Sequence, residues 1–172
     1  MRKILLLFFL TLTSGLIFSQ SEENLNFKIE ENEIFWQKVI EIDSTKDKYI
    51  EVLKLKEFFN NLDWNENSIA GKSNKKDLKI KSPYWASFPF ECFIKVEFKE
   101  SRCRFTFTNI TFDGPEIEVY GVKQKYDYKL SEQAQKDGKF INSKKILNIL
   151  SELNEFFENI ISKKQIHTNT DW

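Results

Sequence analysis

The stretch Cys92-Phe93-Ile94-Lys95-Val96-Glu97-Phe98-Lys99-Glu100-Ser101-Arg102-Cys103-Arg104-Phe105-Thr106-Phe107-Thr108 decides how this chain folds. Cys92, Ile94, Val96 and Phe98 alternate with Phe93, Lys95, Glu97 and Lys99, and Cys103, Phe105 and Phe107 alternate with Arg102, Arg104, Thr106 and Thr108. A period of two marks half-buried strands. A two-residue turn at Glu100-Ser101 would set Phe98 against Cys103, Val96 against Phe105 and Ile94 against Phe107, all on one apolar face. On the other face Glu97 would meet Arg104, an opposite-charge cross-strand pair. A slip of one residue would bring apolar side chains opposite polar ones. Residues 91–99 and 102–112 are therefore predicted as an antiparallel hairpin, although Glu-Ser is not a favoured turn pair. This register also separates the two cysteines. Cys92 would face Asn109, and Cys103 would lie opposite Phe98, roughly 20 Å along the strand from Cys92. A disulfide needs Cα atoms within about 7 Å, so two free, buried thiols are expected.

Working outward, residues 34–42 read as a strand with Ile34, Trp36, Ile40 and Ile42 on one face. Ser44 is the expected N-cap of a helix over Thr45 to Leu62, with Asp47 in a capping-box position. Tyr49, Val52, Leu55, Phe59 and Leu62 form its apolar stripe. Short strands are predicted at 68–72 and 77–81, with a polar turn at 72–76 between them. Ser82 to Phe90 is punctuated by prolines and unsuited to a central strand. Asp113-Gly114-Pro115 signals a turn before a short strand in 116–121. Residues 122–141 are polar and contain a second turn, Asp137-Gly138; few loops of that length lack structure, so a short strand or helical turn is expected there. Asn142 or Ser143 would cap a final helix whose Ile146, Leu150, Leu153, Phe157 and Ile160 share one side, with Lys163 and Lys164 suiting its C-terminal dipole.

The ends of the chain carry different signals. Arg2 and Lys3 precede an apolar run from Ile4 to Phe18, diluted by Thr11, Thr13, Ser14 and Gly15. This is the layout of a cleavable secretory signal peptide over residues 1–19. The run is shorter than the roughly twenty apolar residues that span a bilayer. The chain is thus expected to be exported, periplasmic or secreted, with no stable membrane insertion after cleavage. Residues 20–33 are expected to be a leader or linker, 34–163 the folded domain and 164–172 a loose tail. Among 172 residues are 17 Phe, 4 Trp and 5 Tyr, enough large aromatic surface for a compact core. Acidic and basic residues balance at 26 each. Nucleic-acid binding draws on concentrated positive charge, so this balance disfavours a nucleic-acid partner.

Little in the sequence points to catalysis. His167 is the sole histidine and lies in the tail, which excludes a His-based triad or a zinc site with two imidazoles from one chain. There is no Gly-rich phosphate loop, and no cofactor is implied. Carboxylates are plentiful, so a carboxylate-dependent hydrolase of envelope polymers is one alternative; a structural protein without a small ligand is another. The favoured expectation is a non-enzymatic binding or interaction module. Its candidate residues are the aromatic segment Tyr84, Trp85, Phe88 and Phe90, which would serve if exposed. The polar sheet face is the second candidate, with Lys95, Glu97 and Arg104 beside Thr106 and Thr108.

Three pieces of the chain, residues 35–43, Ala70-Gly71-Lys72 and residues 104–111, give it a family likeness. Over about 34–163 it resembles the exported bacterial family of domains of unknown function numbered 4468. That resemblance implies an α+β, TBP-like curved antiparallel sheet with two helices packed on one face, in the order β-α-β-β-β-β-α. It also implies a location in the envelope of a Gram-negative bacterium. It implies no activity, and the fold name does not imply DNA binding.

Overall fold

The computed structural model describes residues 25–42, 45–65 and 68–162. The expected signal peptide, the expected N-cap Ser44, and Lys163, Lys164 and the expected tail with His167 lie outside these residues. The predicted hairpin is the centre of the molecule. β5 (Phe90–Lys99) and β6 (Arg102–Phe112) pair from Lys99↔Arg102 to Phe93↔Thr108, with Phe98↔Cys103, Val96↔Phe105, Ile94↔Phe107 and Glu97↔Arg104 as expected. The turn is the two-residue Glu100-Ser101, and Glu100 takes a φ of 54°. Past Thr108 the register shifts, so that Glu91 faces Thr111. Asn109, at φ 50°, falls in this bulge. The expected facing of Cys92 and Asn109 is thus replaced by a two-against-one arrangement. The bulge reverses the alternation of β6, so that Ile110 and Phe112 join Phe105 and Phe107 in the interior.

The sheet is entirely antiparallel, in the order β1 (Phe27–Glu30), β2 (Glu33–Glu41), β6, β5, β4 (Ser68–Lys72), β3 (Leu62–Trp64), with a short β9 (Tyr128–Lys129) pairing the end of β6. β2 (Glu33–Glu41) occupies the predicted first strand and buries Ile34 and Trp36, with Ile42 following just beyond it. The expected leader is corrected in part. Phe27–Glu30 is an edge strand, β1, joined to β2 by a tight turn in which Glu31 and Asn32 both take positive φ. Tight two-residue hairpins need that conformation. Phe27 packs in the core. β4 (Ser68–Lys72) is where it was predicted, and β3 (Leu62–Trp64) pairs with it at the edge.

Residues 77–81 are not a strand. The Asp77 carboxylate accepts the Lys79 amide at 2.6 Å, Lys79 has a φ of 57°, and only Lys76 bridges to Phe90. A local side-chain turn has displaced the ladder here. Beyond β6, β7 (Glu116–Val119) and β8 (Val122–Lys125) form a separate hairpin. The long polar segment also holds a short helix, α2 (Leu130–Ala134), and a small hairpin of β10 (Gln135–Lys136) and β11 (Lys139–Phe140) around Asp137-Gly138.

The first helix is shorter than its stripe suggested. α1 runs over Lys46–Lys54, followed by a 3-10 turn at Glu57–Phe59. Leu55, expected in the stripe, is 76% exposed. Phe58 and Phe59 are both buried, and both belong to the 3-10 turn and not to α1. An extended Lys56 breaks the helix between them and α1. The final helix, α3 (Lys144–Ile161), is capped by the Ser143 hydroxyl, which accepts the Ile146 amide at 3.2 Å. It buries Ile146, Ile149, Leu150, Leu153, Phe157 and Ile161, while Ile160 sits at the margin.

α1 and α3 lie on the same side of the sheet. Tyr49 of α1 meets Phe105 edge-on at 6.4 Å, and Phe157 of α3 stacks on Phe107 at 4.3 Å. Phe105 and Phe107 project from one face of β6. A polar seam ties α3 to the amino-terminal strands. The Trp36 indole donates to Asn154 at 2.8 Å, Asn26 donates to both Asn154 and Glu158, and Lys38 pairs with Glu158. The two cysteines are free and buried, as predicted, and burial pushes both thiols up to about 12.

Candidate functional site

Strand alternation that fills the core with one set of side chains must aim the other set away from the helices. The second set forms an open face four strands wide. Register places its residues in rows: Glu41, Arg102 and Lys99; then Val39, Arg104, Glu97 and Ser68; then Gln37, Thr106, Lys95 and Ala70; then Thr108, Phe93 and Lys72. The predicted sheet-face candidates Lys95, Glu97, Arg104, Thr106 and Thr108 are therefore neighbours on this surface.

Glu97 is the organiser of the face. Its carboxylate takes Arg104 Nε at 3.0 Å and Arg104 Nη2 at 2.8 Å on one oxygen, and Lys95 at 3.0 Å on the other. The Lys95 hydrogen bond is the largest influence on Glu97, and together with Arg104 it outweighs desolvation and holds the carboxyl below its usual range. The clamp fixes two long cationic side chains that would otherwise sample many rotamers. Gln37 donates to Thr106 at 3.3 Å and accepts from Lys28 at 3.5 Å. Lys72 pairs with Glu91 at 2.6 Å. Next to Glu97, Val39, Lys99, Arg102 and Arg104 line a shallow depression of about 400 Å³. Lys99 and Arg102 have no carboxylate partner among the described residues, so this corner of the face is net positive. Val39 in this corner and Phe93 at the other end of the face are exposed at 54% and 42%.

The aromatic segment is divided by the structure. Phe90 is a core residue, fully buried and opposite Phe112 in the sheet. Trp85 packs edge-on against Phe112 at 5.1 Å, and Phe88 stacks parallel to Tyr128 at 6.1 Å. Tyr84 alone of the four stands out, at 66% exposure. These residues gather at the start of β5, while Glu97 lies seven residues along it, about 24 Å away at strand rise. The two predicted sets of candidates therefore do not form one site.

Other hollows were not legible in the sequence. Lys56, Phe58, Asn74, Lys75, Lys76 and Phe156 contribute to a cleft of about 230 Å³. Two of its cations are engaged: Lys56 with the Ile160 and Ser162 carbonyls, and Lys75 with Asp113 at 2.5 Å. Glu33, Glu132 and Asp137 meet around a polar depression of about 460 Å³ beside α2. There Ser131 donates to Glu33 at 3.1 Å, and Lys129 stands 3.6 Å from Glu132. These carboxylates come from segments a hundred residues apart, so no local spacing could have revealed them.

No family model and no curated protein matches the chain. Solved structures do. A TBP-like protein from Parabacteroides distasonis ATCC 8503 superposes with a TM-score of 0.50 at 14% identity, over 77% of this chain and 90% of that one. A DUF4468 family protein from Bacteroides ovatus ATCC 8483 aligns with a TM-score of 0.46 at 13% identity, over 80% of this chain and 91% of the other. The chain has the α+β, TBP-like architecture. This agrees with the fold that the sequence resemblance implied.

Proposed function

We propose that this chain is a non-enzymatic, exported binding or interaction module of the bacterial cell envelope, and that it engages its partner on the open sheet face. One observation carries the reading: the face opposite α1 and α3 is a continuous, preformed polar surface. Its central cations are held in place by Glu97, and at its corner Lys99 and Arg102 have no carboxylate partner among the described residues. Fixed polar groups around exposed Val39 and Phe93 favour orientation and specificity over bulk affinity. The location rests on the amino-terminal signal read from the sequence.

The test is affinity capture from a periplasmic extract with three forms of the chain. Wild type and Trp85→Ala should retain the same partners, because Trp85 packs inward against Phe112. Arg102→Glu combined with Arg104→Gln should reduce their recovery at least tenfold. Equal recovery by that double variant removes the sheet face as the site. A second reading is a carboxylate-dependent hydrolase, and the depression around Glu33, Glu132 and Asp137 is what supports it. Turnover of a cell-envelope glycan that Glu33→Gln abolishes would establish that alternative.

A further inference from the structure

The β7–β8 hairpin stands apart from the rest of the sheet. All eight of its strand residues are exposed. Its register puts Glu116, Glu118, Lys123 and Lys125 on one face and Ile117, Val119, Val122 and Gln124 on the other. Val119 and Ile117 are 46% exposed, Val122 is 68% exposed, and Tyr120 at the tip is completely exposed. Tyr120 and Gly121 both take positive φ, which makes the turn tight and aims the tip outward. An isolated two-stranded hairpin is marginal in water, and large apolar side chains clustered in the open mark a contact surface.

We propose that this hairpin seats shallowly in the interfacial layer of a phospholipid bilayer. Its charges cancel: Glu116 pairs with Lys123 at 3.1 Å, and Lys125 pairs with Asp113 and Asp127. A neutral arm has no complementarity to a strongly acidic or basic protein surface. Its four apolar side chains are also far fewer than the roughly 20–30 residues a side of a standard protein interface, which argues against a second copy of the chain. A membrane interface makes smaller demands. Amphipathic elements bury their apolar side about 5–10 Å deep, and strands of four residues at about 3.4 Å each reach about 13 Å. That length puts Val119, Tyr120 and Val122 below the headgroups, with the facing pair Glu118 and Lys123 level with them. Tyrosine favours this boundary because its ring is apolar and its hydroxyl wet. Among the described residues no helix is long and apolar enough to cross a membrane, so the contact is peripheral.

The experiment is vesicle flotation with the chain from Gln20 onward, which retains every described residue without the apolar leader. Vesicles contain phosphatidylethanolamine and phosphatidylglycerol. The chain should float with them in low and high salt. Val119→Asp with Val122→Asp should cut partitioning at least tenfold, and Tyr120→Ser at least threefold, with unchanged circular dichroism. Val39→Asp, on the open sheet face, should float like wild type. Four results would each overturn the proposal: no flotation of the wild type, undiminished flotation of both hairpin variants, loss of binding in high salt, or a dimer in sedimentation that the hairpin variants break. This contact is independent of the sheet-face reading, and either can fail alone.

Discussion

Cys92 and Cys103 show how a single burial choice sets a pH response. Both thiols sit in the apolar interior, and desolvation raises them to about 12 from an ordinary value near 9. Between those values the unfolded chain releases protons that the folded chain keeps. Stability is therefore full below about pH 9 and falls as pH rises toward 12, by up to about 1.4 kcal/mol per pH unit for each thiol. Tyr49 adds to the same trend, since burial also raises its phenol. Urea denaturation from pH 8 to 11 should show this decline, and a Cys92→Ala/Cys103→Ala variant should show a shallower slope. The burial itself was legible from alternation. The bulge at Asn109 was not: a left-handed residue left no mark in the hydrophobic pattern, and strict alternation would have turned Phe112 outward.

At the scale of elements, α3 was readable almost to its bounds because its apolar positions face one sheet and its cap is local. α1 was overestimated because its continuation answers to a distant demand. Lys56 leaves the helical path and reaches back to the end of α3, where its ammonium donates to the Ile160 carbonyl and, at 3.0 Å, to the Ser162 carbonyl. Burial lowers its pKa, but the carbonyl oxygens and the negative end of the helix dipole favour the charge. Lys56→Met should therefore cost about 1–2 kcal/mol in denaturant melts, since it leaves helix-end carbonyls unpaired. Propensity alone cannot foresee such a break, because tertiary contacts override it. β1 was missed for a related reason. Four residues with two large apolar side chains read as linker until β2 supplies the edge.

For the whole molecule, Phe157 is the joint between layers. Its ring meets those of Phe27, Trp36, Phe90 and Phe107, from β1, β2, β5 and β6. Phe157→Ala should cost about 3–5 kcal/mol, visible as a lower denaturation midpoint with a single transition. The global topology was only partly open to reading. Period-two stretches identify strands, but nothing local states that β2 inserts beside β6 and leaves β3 at the far edge. The site shared that fate: the sheet-face residues of one hairpin could be grouped from sequence, whereas Val39 and Gln37 joined them only through that long-range pairing.

The same strand order sets a timetable for the nascent chain. β2 finds its ladder partner about seventy positions later, and contacts that distant are slow to form. The opening hairpin of β1 and β2 therefore emerges with one flank unpaired. It must wait until β6 has been made, and α3, the last of the described elements, then closes over both. A ribosome carrying only the first half of this protein holds a chain that cannot yet mature.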